Sequence, residues 1–439
     1  MKKILFFLVT CTSIFNVYSQ EKLNLEKAVE IALSNNTSIV KSTNNVEATK
    51  TNIKTAYGSL LPNLSAGLSW NWQKSTQTNP AYYSEALQQI NTSNESRSYS
   101  FSAGGNVTLF DGLASYERID QNENELESAK LSLDRLKQEV ILQTTALYYS
   151  ILNAHDLLKV QEENSIYNQK FLELIKEKKS LGLVPIADVY SQEVQYGNAE
   201  MSFIQSKKDY EVAVNQLLEF LSLDVSKKYE FESNIIKPEE MNLVKSGSED
   251  YELMQYYDLA VQKRNDLQSM NYQLLSGHNQ LSISKAGLLP SLSGNYSYST
   301  GAGSIGDLFS DNRYGLGLSL NIPIFSNFKT EASIQSAEIS VKNSMEDFNA
   351  LKRQIIGEVK ESYIDLNLAK KKLEVSEKTL QSAAENQKVN LELYQVGKGT
   401  FLDCLQANKD YVQASTGKIT AEYNYYLSIE RLYNTVGVR

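Results

Sequence analysis

Very few side chains in this sequence could make or break a covalent bond. The 439 residues include two histidines, His155 and His278, and two cysteines, Cys11 and Cys404. Neither histidine has a second His or a Cys close to it in sequence. Both read as structural residues on helices, and no zinc-ligand spacing is present. Gly301-Ala302-Gly303-Ser304-Ile305-Gly306 fits the glycine spacing of a dinucleotide-binding turn. Such a turn works only when it opens a helix whose N-terminus faces the phosphates. Here Asp307 to Asn312 leads into another strand pattern, so the segment reads as an exposed loop. No nucleophile stands beside a base, and no two acids are paired for proton transfer. The chain is therefore not read as an enzyme, and it implies no cofactor or metal. A formal charge of -9 argues against a nucleic-acid partner.

The remaining polar candidates stand at helix ends. Proline is scarce, six in 439 or about 1.4%, against a usual level of about 5%. Long segments are thus free to be helical. The pattern predicts helices over about 113–181, 185–222, 328–396 and 400–436. Gly182 and Gly397 each end a long helix, where a left-handed residue closes the last turn. Asp188 and Asp403 follow in the first turns of the returning helices. Thr400 and Asp403 have capping-box spacing, with Asp in place of Glu, and Pro185 suits a first helical position. Carboxylates there also complement the helix dipole.

The elements that position these ends are of two kinds. The first is strands. Leu64, Ala66, Leu68, Trp70 and Trp72 alternate with Ser65, Gly67, Ser69, Asn71 and Gln73. The same period of two predicts strands over about 63–73, 98–110, 291–300 and 314–325. Such strands fit a soluble sandwich or tilted strands crossing an outer membrane. In the second case Trp70, Trp72, Tyr99, Tyr296, Tyr298 and Tyr314 are candidates for an aromatic belt facing lipid. The second kind is long helices. Leu126, Leu133, Val140, Leu147 and Ala154 recur every seven residues, and Val341, Phe348 and Ile355 repeat that spacing. Two such struts do not belong to a soluble sandwich. Four strands cannot close a barrel, and open edges cannot sit in lipid, so the chain needs further copies of itself. Three copies would give about twelve strands around a lumen wide enough for solute.

The chain is also written twice. Leu60-Leu61-Pro62 recurs as Leu288-Leu289-Pro290, and Leu109-Phe110 answers Ile324-Phe325 at an offset of 215. That offset pairs Tyr148 with Tyr363, Gly182 with Gly397, and Asp188 with Asp403. The reading is a first repeat over about 20–224 and a second over about 263–439, joined by an irregular polar segment over about 225–262. Lys74–Arg97 reads as a polar loop between strands. Residues 1–19 have the form of a secretory signal peptide, with Lys2 and Lys3 before the apolar run Ile4–Val9 and cleavage after Ser19. The alternative is a lipoprotein signal ending at Cys11.

At this point the sequence resembles the TolC family of outer-membrane efflux channels. The opening Leu23-Asn24-Leu25-Glu26-Lys27-Ala28, the Leu-Leu-Pro before the first strand of each half, and the two helical turns carry the resemblance. It covers nearly the whole chain after the signal segment. The family implies a mainly α-helical protein with a membrane β-barrel. Four strands per chain would form a trimeric twelve-stranded barrel, continued by a long coiled-coil periplasmic tunnel. It implies a homotrimer, a periplasmic adaptor and an inner-membrane transporter as partners, and outer-membrane lipid around the barrel. Gly182, Leu183, Val184, Val396, Gly397 and Lys398 would dock the adaptor. Asp188, Tyr394, Asp403 and Gln406 would line the periplasmic entrance, where three copies of a carboxylate form a ring. The sequence departs from the family twice there. Gln406 stands where a second acid often occurs, and Gly399 stands where some members place a basic residue. The implied function is a passive exit duct for small molecules or drugs. Alternatives are a type I protein-secretion outlet or a non-conducting coiled-coil stalk.

Overall fold

The structure, a computed structural model, describes residues 21–77, 92–232 and 249–438. The expected signal segment with Cys11 lies outside these residues, as do 78–91 and 233–248. In chain order the elements are β1 (Glu21–Leu23), α1 (Leu25–Asn35), α2 (Thr37–Gly58), β2 (Ser65–Gln77), β3 (Thr92–Phe110), α3 (Ala114–Ser180) and α4 (Ile186–Phe220). They continue as β4 (Tyr229–Phe231), α5 (Glu249–Lys263), α6 (Asn265–Ala286), β5 (Ser291–Ala302), β6 (Asn312–Asn321), α7 (Lys329–Gln395) and α8 (Phe401–Val436). An offset of 215 carries the bounds of α3 onto those of α7 and the start of α4 onto that of α8. The chain forms two compact units. Of the described residues, one unit comprises 21–40, 136–232, 249–263 and 356–438; the other comprises 41–77, 92–135 and 264–355.

The second unit holds a four-stranded antiparallel sheet in the order β2-β3-β5-β6. Directly paired residues share a face. Leu68 pairs with Phe101, Trp70 with Tyr99, Tyr298 with Tyr314, and Gly294 with Leu318. The opposite face joins Ser69 to Ser100, Asn71 to Ser98, Asn295 to Gly317 and Ser293 to Ser319. One face is therefore apolar and aromatic, and the other is built from Ser, Asn and Gly. Much of the apolar face is exposed, Leu68 by 69% and Leu316 by 91%, while the loop after β5 lays Leu308 and Phe309 against Thr300 and Phe101. The polar face is crowded. A Cβ at Gly317 would lie 2.6 Å from Asn295 Oδ1. Strands β2 and β6 each have a single ladder partner and so leave one edge unpaired among the described residues.

Two strand limits differ from the sequence reading. β2 and β3 run on in register to the pair Gln77–Thr92, into the expected Lys74–Arg97 loop. Ser, Thr and Asn on both faces carry no alternation there, yet the hairpin ladder continues. β6 ends at Asn321 rather than near 325, because Pro323 has no amide to give the ladder. The segment over 225–262 is also not simply irregular. It contains β4 and α5, whose Ala260 is fully buried.

The first unit packs around Tyr148, Ile151, Leu217, Leu218, Val359 and Val436, all inaccessible to solvent. β1 pairs in parallel with β4. The Tyr148 hydroxyl ties both strands, lying 3.1 Å from Leu23 O and 2.5 Å from Glu232 O.

The junctions from strand to long helix are strained in both repeats. Gly112 and Leu113 have φ of 70° and 72°, and Asn327 and Phe328 have φ of 52° and 60°. A left-handed leucine or phenylalanine is costly. Each following helix is anchored by the residue just before the strained pair. Asp111 Oδ2 accepts from Ser115 N at 2.9 Å, and Ser326 Oγ accepts from Thr330 Oγ1 at 2.9 Å. Leu113 is 55% exposed, so removing its side chain uncovers little. Leu113→Gly is expected to stabilise the purified protein by about 1 kcal/mol, read as a raised thermal midpoint in detergent; a lowered midpoint would show that the side chain outweighs the strain.

Candidate functional site

The candidate residues gather at the two ends where α3 turns into α4 and α7 turns into α8, all within the first unit. Each long helix closes by the same pair of hydrogen bonds. Leu183 N donates to Lys178 O at 2.9 Å, and Gly182 N to Lys179 O at 2.9 Å. In the other turn Lys398 N donates to Leu393 O at 2.9 Å, and Gly397 N to Tyr394 O at 3.2 Å. This is the Schellman closure, which needs a left-handed residue after the helix. Gly182 and Gly397 supply it, with φ of 74° and 76°. The closure leaves large apolar residues at the tips. Leu181, Leu183 and Val396 are 68%, 67% and 69% exposed. Val184 turns the other way and packs on the core behind.

That core joins all four helices: Phe171, Leu172 and Ile175 from α3, Val189 from α4, Tyr394 from α7, Phe401 and Cys404 from α8. Phe171 stacks on Phe401 at 6.0 Å and meets Tyr394 edge-on at 5.4 Å. Burial pushes the Cys404 thiol up to about 11, with the Asp403 charge adding to the effect. It is a protonated core residue, donating to Asn390 O at 3.3 Å, rather than a nucleophile.

The entrance residues take unequal roles. Asp403 is exposed and completes the capping box of α8: its amide donates to Thr400 Oγ1 at 3.1 Å, and its Oδ2 accepts from Thr400 N at 3.2 Å. Asp188 lies in the first turn of α4, where Pro185 offers no side-chain cap. Tyr394 is buried, and its hydroxyl has no partner among the described residues. Burial raises its pKa, and the Asp188 charge reinforces that. Gln406 donates to Asp410 at 2.7 Å along the same helix.

Sequence reasoning missed Lys178. Its ammonium donates to Tyr394 O at 3.0 Å and to Gln395 O at 3.2 Å, and it lies 4.8 Å from the Tyr394 ring centroid. A cation on α3 thus caps the carbonyl end of α7 and covers its last aromatic ring. The signal was present as a lysine in the last turn of α3, but its partner helix lies 216 residues away in sequence. Gly399 is explained by the same geometry. Its amide donates to Leu393 O, and a Cβ there would sit 3.0 Å from Tyr394 N.

The aromatic candidates lie in the other unit, on the apolar face of the sheet. Trp70 pairs with Tyr99, Trp72 with Arg97, Tyr298 with Ala103, and Tyr296 with Gly105. The rings therefore share one face but spread along β3 from position 97 to 105. Trp72 Nε1 also donates to Glu95 Oε1 at 2.6 Å, and the Tyr296 hydroxyl donates to Asn63 O.

The family described as "Outer membrane efflux protein" matches residues 28–222 and 256–438 of this chain. The chain is 24% identical over an alignment of 454 positions to the outer membrane protein TolC of Escherichia coli K12, covering 100% of this chain and 87% of that protein. It is 22% identical over 343 positions to the alkaline protease secretion protein AprF of Pseudomonas aeruginosa, covering 76% and 69%. Among solved structures, the Campylobacter jejuni CmeC outer membrane channel superposes with a TM-score of 0.80 at 16% identity, covering 94% of this chain and 85% of that one.

The Lys178 contacts make a local prediction. Lys178→Met is expected to weaken the last turn of α7 by about 1 kcal/mol, so that the Val396, Gly397 and Lys398 amides exchange roughly fivefold faster. Unchanged exchange there would show that the ammonium adds nothing to the turn.

Proposed function

The chain belongs to the outer membrane efflux protein family, and from that premise we propose that it is the passive exit duct of a tripartite export system, working as a homotrimer. The observation that carries this reading is the sheet, with its largely exposed apolar face, its crowded polar face and its two edges unpaired among the described residues. Each strand is antiparallel to the next, so β6 runs opposite to β2. A β6 edge meeting the β2 edge of a second copy continues the same alternation. Three copies then give a closed barrel of about twelve strands, with Trp70, Leu316 and Leu318 toward lipid and the Ser, Asn and Gly face toward water.

The helical ends carry the proposed docking and entrance residues. Gly182, Leu183, Val184, Val396, Gly397 and Lys398 form the docking tips for a periplasmic adaptor, with exposed leucine and valine as the apolar contacts. An inner-membrane transporter supplies cargo and energy. Asp403 is exposed and fixed by its capping box, so three copies around an axis set a ring of carboxylates that favours cations. Asp188, Tyr394 and Gln406 flank that entrance. The chain catalyses nothing in this scheme. The main cargo reading is small molecules. The likeness to a protease secretion protein supports a second one, type I protein secretion through the same duct.

Planar-bilayer recording tests the channel. Purified trimers are expected to conduct, with current blocked by divalent cations from the helical end; absence of conductance would leave a stalk as the reading. Asp403→Asn keeps an acceptor for the Thr400 amide and removes the charge, so block should weaken while the thermal midpoint changes little. Undiminished block would remove the carboxylate ring. Gly397→Glu should leave folded trimers that no longer support export in cells, and normal export would remove the docking role of that turn.

A further inference from the structure

Directly behind the apolar tip core lies a layer of buried amides. Asn168 is 4% exposed, Asn408 8% and Gln192 0%. Gln192 Nε2 donates from α4 to Asn168 O and Oδ1 on α3, at 3.0 and 3.1 Å. Asn168 Nδ2 reaches Asn164 Oδ1 one turn away at 2.9 Å, and Asn408 Nδ2 on α8 donates to the same oxygen at 3.0 Å. Gln387 Nε2 on α7 completes the chain, donating to Asn408 Oδ1 at 2.8 Å. One network thus threads all four helices. It is not fully satisfied, because Gln192 Oε1 is buried without a partner among the described residues. Replacing buried polar partners by apolar side chains of similar volume is often neutral or stabilising, so stability alone does not account for the layer.

The repeat suggests why the layer exists. The two hairpins, α3–α4 and α7–α8, are nearly equivalent: the same offset relates their helices, their closing glycines and their first-turn acids. The amides break that equivalence. At an offset of 215, Asn164, Asn168 and Gln192 correspond to Thr379, Ala383 and Ala407, while Gln387 and Asn408 correspond to Leu172 and Glu193. Packed apolar side chains discriminate weakly between one helix register and another, or between a helix and its duplicated counterpart. A buried amide that finds its acceptors in a single alignment does not.

We propose that this amide layer is the alignment key of the helical ends: it makes α8 pair with α3 of its own chain in one register, and excludes pairings that the duplicated sequence would otherwise allow. The role is independent of what the duct carries. A helix shifted by one seven-residue repeat moves by about 10 Å, which takes the Asn408 amide out of reach of Asn164 Oδ1.

Electron–electron double resonance tests the proposal. Nitroxides are placed at exposed Glu163→Cys and Lys409→Cys in a Cys404→Ser background, with the labelled chains diluted in unlabelled ones. The native layer is expected to give one narrow distance. The variant Asn164→Leu, Asn168→Leu, Gln192→Leu, Gln387→Leu, Asn408→Leu is expected to add populations displaced by about 10 Å, or to lose the intrachain distance to pairing between copies. A single distance identical to that of the native layer would overturn the proposal, whatever happens to the thermal midpoint. Should the fivefold variant not assemble, the single exchange Asn408→Leu gives the same reading: a second distance supports the key, and an unchanged narrow one refutes it.

Discussion

The unpaired edges of a four-stranded sheet set the terms for the rest of this molecule. β2 and β6 each present a row of backbone donors and acceptors, and between them lies an apolar face exposed over much of its area. Water satisfies the edges but not the face, and lipid satisfies the face but not the edges. A ring of copies resolves both. That is the physical content of the proposed trimer, and it explains why a chain with 22% charged residues can belong in a membrane. In the proposed trimer only the four described strands of each copy face lipid, while two 67-residue helices and their partners carry the polar surface.

The helical ends answer a different constraint. A helix this long ends in carbonyls that need donors. Gly182 and Gly397 close them by Schellman turns, and Lys178 reaches from α3 to cap α7. The closure leaves the tip apolar and exposed, which suits a surface meant to meet another protein. The core behind it is apolar and aromatic, and the amide layer behind that is polar and asymmetric. Stability at this end comes from the aromatic core, whereas alignment comes from the amides.

Much of this was legible in the sequence because the relevant signals are local. Alternation marked Leu64 to Gln73 as a strand, and the absence of proline marked the long helices. The turn glycines stood where a left-handed residue is required, and the Thr400–Asp403 capping box was readable from its spacing. What escaped depends on partners distant in the chain. Lys178 looked like one more lysine on a solvated helix until Tyr394 was brought beside it. The amide layer carries no local mark, since nothing in Asn164 announces Asn408. The strained pairs at Gly112–Leu113 and Asn327–Phe328 were invisible because leucine and phenylalanine rarely adopt that backbone. The extension of the β2–β3 ladder into the expected loop was missed for the opposite reason: polar residues on both faces pair well but show no pattern.

The central claim is that the sheet closes only through other copies of the chain. Native mass spectrometry of the protein released from lipid nanodiscs tests it most directly. The account predicts a complex of three chains, with no stable species of one chain carrying the folded sheet. A monomer that keeps its sheet in lipid, or an assembly of a number other than three, would contradict it.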